Sequence, residues 1–164
     1  MTELSIRDRL AACRTWAEVL EAGRTFWHPG GPRVFDTLFP LALSANTDPA
    51  AYNAGALLVF MDPDCNADCR ALVEQVHRSQ WWGRNREVAF YLLVHFGKEP
   101  LLKTCREFLA TMTRDQQEES RVRALMYWTS CSAHELVVPF QAWMRGDTSV
   151  AGAGFVERPP PGAT

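Results

Sequence analysis

Three stretches of the chain, 53–80, 85–113 and 120–147, share one layout: an apolar helical run, a short polar break and a second, amphipathic run. Their first halves align as Ala54-Gly55-Ala56-Leu57-Leu58-Val59-Phe60, Val88-Ala89-Phe90-Tyr91-Leu92-Leu93-Val94 and Val122-Arg123-Ala124-Leu125-Met126-Tyr127-Trp128. The offset, about 34 residues, lies in the range where helical hairpins repeat and bury their apolar faces only by stacking on neighbours. Alternating Val/Ile/Thr runs bounded by hairpin turns do not occur, so strands have no sequence basis. The expected fold is all-α: eight or nine helices as stacked antiparallel hairpins in a single domain over 1–147.

Punctuation along the chain sets the helix limits. Leu4, Ile6, Leu10, Ala11, Trp16, Val19, Leu20 and Phe26 recur at a helical spacing, as one long helix or two short ones, until His28-Pro29-Gly30-Gly31-Pro32 forces a turn. Asp48-Pro49 reads as a cap with proline at the first helical position, and Asp62-Pro63 repeats the arrangement. Further helices are expected from about Asn66 to Ser79, from Arg86 to Phe96 with Gly97 as the C-cap, and from Lys98 through Met112. A last pair is expected over about 116–130 and 133–145. Beyond Gly146 the composition turns to Gly, Ala and Pro, which reads as a flexible tail over 148–164.

The repetition resembles HEAT-type α-solenoid families over about 53–147. The resemblance rests on pattern, and it implies a scaffold that works by surface binding. The Trp, Gly and Tyr signature of tetratricopeptide repeats is missing at matching spacing.

With 47% apolar and 11% aromatic residues in 164, the chain can build a core without metal or disulfide staples, and disorder is excluded. No run approaches the 18 or more apolar residues of a membrane span, and a net charge of −2 gives no basic field for nucleic acid. Neither membrane nor nucleic acid is an expected partner. Five cysteines, scattered through apolar patterns, and an N-terminus without a signal-peptide layout point to the cytoplasm. Fifteen Arg against two Lys fits a GC-rich genome, and a bacterial source is expected.

Residue types that carry chemistry are present without the spacing that chemistry needs. Asp62, Asp64, Asn66 and Asp68 alternate as in a calcium loop, but Ala67 stands where the loop needs Gly and Val73 where it needs Glu. N-cap and first-turn roles explain these residues better. Cys65, Cys69, Cys131 and His134 could supply four zinc ligands, although their spacing is not that of a finger or ribbon. Glu74-x-x-His77 has no second copy, and a solvated His77 is expected. Ser132 with Glu135 reads as a capping box, and no nucleophile motif appears. No active site and no cofactor are expected.

Charge and aromatic placement point toward a binding surface. The segment 35–68 carries a net −5 with no Lys or Arg, and 69–106 carries +4. Trp27, Trp81 and Trp82 fall at turns, and Trp81, Trp82, Arg84 and Arg86 put the two residue types that dominate interface hot spots in one short segment. The expected contacts are therefore Asp62, Asp64 and Asp68 together with Trp81, Trp82, Arg84 and Arg86. The expected function is non-catalytic protein binding, in its specific form a bacterial immunity protein that neutralises a cognate toxin. The competing expectations are a helical metal-binding protein using the Cys and His residues, and an adaptor scaffold.

Overall fold

Side-chain caps and prolines divide the chain into helices, and in this computed structural model the described residues, 5–27, 33–45, 48–83 and 86–131, contain nine of them and no strand. They are α1 (Ile6–Ala12), α2 (Trp16–Phe26), α3 (Val34–Ala42), α4 (Pro49–Met61), α5 (Cys69–Arg78), α6 (Glu87–Phe96), α7 (Lys98–Leu109), α8 (Arg114–Glu119) and α9 (Arg121–Cys131). The expected turn at 28–32, the helix over 133–145 and the tail over 148–164 lie outside the described residues.

The caps explain several boundaries. Ser5 opens α1 by accepting the Asp8 N–H, and Thr15 forms a capping box with Glu18, so the first apolar run is two helices. Asp48 accepts the Ala50 N–H at 2.9 Å with Pro49 at the first turn of α4, as the sequence predicts. The matching expectation at Asp62-Pro63 fails. Asp62 instead ends α4 in the left-handed region, φ 47° and ψ 54°, and residues 62–68 form a connecting loop. The next helix therefore starts at Cys69, three residues later than expected, where Asp68 accepts the Ala71 N–H at 2.8 Å. The single helix expected over 116–130 is also two, because a capping box at Thr113 and Gln116 starts a short α8 and Ser120 interrupts the chain before α9.

Two helices form the centre. Every residue of α4 from Ala50 to Val59 except Tyr52 is buried, and so is α6 from Glu87 to Leu93. A helix apolar all round has no solvent face to offer and must be enclosed. Ala50, Ala51, Ala54 and Ala56 keep α4 slim, and α1 and α3 pack closely against it. Buried Asn53 donates to the Leu10 carbonyl at 2.7 Å, satisfying its amide and tying α4 to α1. Phe35 stacks on Phe39 at 5.0 Å and on Tyr91 at 5.6 Å, which joins α3 to α6.

Other helix pairs complete the packing: α4 meets α6, α6 meets α7 and α9, α5 meets α7 and α9, and α7 meets α9. The outer helices α5 and α7 are amphipathic, with Leu72, Val73 and Val76 and with Leu101, Leu102, Cys105, Phe108 and Leu109 turned inward. Each buried leucine of this set contributes about 1.5–3 kcal/mol relative to exposure. No helix among the described residues is long and apolar enough to cross a membrane.

Candidate protein-binding surface

The turn after α5 decides the fates of two adjacent tryptophans. Ser79 donates its hydroxyl to the Val76 carbonyl at 2.7 Å and accepts the Trp81 N–H at 3.1 Å, reversing the chain at once. Trp81 is turned inward and is 0% exposed, whereas Trp82 is left 49% exposed. The expectation that Trp81 contacts a partner is therefore corrected: its indole is enclosed in the core.

Helix α9 supports this turn from the other side. Gly83, at φ +84°, gives its carbonyl to the Trp128 indole N–H at 2.6 Å. A Cβ at that position would stand 3.1 Å from both the Ala124 Cβ and the Trp128 Nε1, so glycine serves both the backbone conformation and the close approach. One helical face thus presents Arg121, Ala124 and Trp128 to the turn. The Arg121 guanidinium lies over the Trp82 ring, 4.6 Å from its centroid. Trp128 in turn meets Tyr127 edge to face at 5.4 Å, and Tyr127 is 62% exposed. Trp82 and Arg121 form an aromatic and cationic surface anchored on Gly83 and Trp128, and exposed Tyr127 lies against Trp128.

Of the other basic residues expected here, Arg86 is half-buried with its guanidinium 5.6 Å from the Phe90 ring centroid, and Arg84 lies outside the described residues.

The acidic residues gather elsewhere. Asp62 Oδ1 lies 2.9 Å from His95 Nε2, in the last turn of α6, and the His95 ring stacks on Tyr91 at 4.2 Å. The Tyr91 hydroxyl donates to the Pro63 carbonyl at 2.6 Å. Burial pushes the Tyr91 phenol well above its ordinary range, with the negative charges of the loop adding to the effect, so it stays a donor at every ordinary pH. Asp64 is exposed, while Asp68 is committed to capping α5. The loop holding Asp62 and Asp64 meets the C-terminal end of α6 and the Trp82 turn leads into its N-terminal end. Ten residues at 1.5 Å rise separate the two by about 15 Å. The acidic loop and the Trp82 turn are separate regions of the surface.

Several sulfur and imidazole groups among the described residues are held by packing and hydrogen bonds. All five cysteines are free thiols. Cys105 is fully buried in α7, and burial pushes its thiol up to about 12. Burial also raises Cys69, although its hydrogen bond with Thr104 acts the other way. Cys65 donates to the Ala67 carbonyl at 3.5 Å, and Cys131 is exposed at the end of α9. Among the described residues no three His, Cys, Asp or Glu side chains are grouped to hold a metal ion, and His134 lies outside them. His77 is not the solvated residue expected: its ring packs 5.3 Å from Phe108, and its Nδ1 is hydrogen-bonded at 3.0 Å to Ser120, which is 1% exposed. That pair joins α5 to the break between α8 and α9. Trp27 is half-buried, lining a cavity of about 260 Å³ with Leu20, Leu57, Phe60 and Met61.

Arg121 and Tyr127 were missed by reading the sequence. The seven-residue spacing of Arg121 and Trp128 does place them on one face of a helix, but nothing local says that this face meets the Trp82 turn. No family model, no curated protein and no solved structure matches this chain.

Proposed function

We propose that this chain is a stoichiometric protein-binding module that takes its partner on the surface of Trp82 and Arg121. The observation that carries the reading is Trp82, half-exposed yet held in place by a guanidinium on its face. A large ring already fixed in one orientation loses little entropy when a partner covers it, and Trp, Tyr and Arg are the residues that dominate binding energy at interfaces. Exposed Asp64 at the other end of α6 extends the contact region to a patch of opposite sign, which steers and orients a charged partner.

In its specific form the proposal is a bacterial immunity protein that neutralises a cognate toxin or effector by covering it. The uneven distribution of its charge supports that form, and a single tight partner is its central requirement. The test compares affinities of full-length variants for the co-purified partner. Trp82→Ala weakens the complex by about tenfold or more, as truncation of a hot-spot tryptophan does, and Asp62→Arg weakens it through charge. Gln116→Ala, an exposed residue of α8, leaves it unchanged. Equal affinities for all three variants rule these surfaces out.

A further inference from the structure

Five arginines among the described residues are matched by carboxylates. Arg7 pairs with Asp48, Arg24 with Glu21, Arg33 with Asp36, Arg78 with Glu74 and Arg114 with Glu118. Arg121 has no such match among the described residues; its charge rests on an aromatic ring. Three other guanidinium groups also lie over rings, Arg9 on Phe26, Arg70 on Phe108 and Arg86 on Phe90, at 5.1–5.6 Å. Phe108 and Phe90 are buried and Phe26 is half-buried. The Arg121–Trp82 stack is the closest of the four at 4.6 Å, and its ring is the exposed one.

This geometry fixes what Arg121 can recognise. The Nε atom is shut off from water and has no hydrogen-bond partner among the described residues, which leaves recognition to the two Nη groups. A guanidinium held over a ring keeps fewer orientations than a free one. Its planar fork matches the two oxygens of a carboxylate, and the restriction lowers the entropy lost when they meet. Arg121 is also the first residue of α9, where the helix dipole favours negative charge. Nearby Glu118 is already engaged by Arg114.

Resting on the protein-binding reading above, we infer that the partner presents an Asp or Glu side chain to Arg121, set beside an apolar side chain that covers Trp82. The recognised element is an acidic and apolar peptide segment on the partner's surface. A basic patch would meet an unmatched cation, and a purely apolar one would strip water from Arg121 without replacing its hydrogen bonds.

The test uses the full-length chain, immobilised and panned against a displayed library of random peptides, with the selected peptides measured against four proteins. Those proteins are the wild type, Trp82→Ala, Arg121→Gln and Arg121→Lys, each first shown to unfold as the wild type does. The expected peptides carry Asp or Glu beside an apolar residue and lose about tenfold or more in affinity on Arg121→Gln. Arg121→Lys also weakens them, because an ammonium lacks the planar fork. Selected peptides without carboxylates that still depend on Trp82 overturn this inference and leave the protein-binding surface standing. Acidic peptides that bind Arg121→Gln as well as the wild type overturn it equally. Peptides indifferent to both Trp82 and Arg121 overturn the surface itself.

Discussion

The Tyr91 hydroxyl, on the central helix α6, donates at 2.6 Å to the carbonyl of Pro63, which leads the loop away from α4. With the His95–Asp62 contact one turn further on, it pins the acidic loop to the core. Tyr91→Phe keeps the ring stacking on Phe35 and deletes only the donor. It is expected to lower stability by about 0.5–1.5 kcal/mol in urea unfolding and to speed amide exchange within 62–68. Unchanged exchange in that loop would show that the hydroxyl does not hold it.

Gly83 is expected to be intolerant of a side chain. Gly83→Ala places a methyl group 3.1 Å from the Trp128 Nε1 and the Ala124 Cβ at a positive φ, so Trp128 must give way. A loss of about 1–3 kcal/mol follows from strain and overpacking, with a shift in tryptophan fluorescence as the indole leaves its bond to the Gly83 carbonyl. Full wild-type stability would mean that the turn can relax without α9.

The thiols separate by reactivity and by pH. At pH 8 a thiol held up to about 12, as Cys105 is, exists as thiolate at only about one part in ten thousand. Exposed Cys131 should therefore be alkylated rapidly in the native protein, and Cys105 only on unfolding. The linkage has a definite sign. Between the ordinary thiol value of 9.0 and about 12, the unfolded chain releases the Cys105 proton while the folded protein retains it. Stability is then fully present below pH 9 and falls as pH rises above it. Tyr91, also raised, acts in the same direction at higher pH. Cys105→Ala should flatten the decline between pH 9 and 10.5; an identical slope would assign the decline to other groups.

Asp68 and Asp64 are four residues apart and should behave differently. Asp68→Ala removes the cap of α5 and costs about 1 kcal/mol of stability, as cap losses do. Asp64→Ala, at an exposed position of the loop, should be close to neutral in stability. Thermal unfolding of the two variants side by side checks both statements.

These contrasts show where sequence reasoning reaches and where it stops. Runs such as 54–60 and 88–94 announced the buried helices α4 and α6 because a helix with no polar face can only be enclosed. Asp48 announced a cap because capping is local chemistry. Asp62-Pro63 has the same letters as a cap, but Asp62 adopts the left-handed conformation that ends α4, which no local pattern records. The same holds for Trp81 and Trp82. Both are tryptophans at a turn, and only the Ser79 reversal and the arrival of α9 send one inward and leave the other out. Arg121 was invisible as a site residue for that reason, since its significance comes from a ring nearly forty positions away in the chain. His77 was misread because Ser120 and Phe108, distant in sequence, shield it.

The most direct test is quantitative capture from the native host with three full-length baits: wild type, Trp82→Ala and Gln116→Ala. One partner held at one-to-one stoichiometry by the wild type and by Gln116→Ala, and lost from Trp82→Ala, is the expected result. The same partner held equally by all three baits would contradict a binding surface built on Trp82 and Arg121.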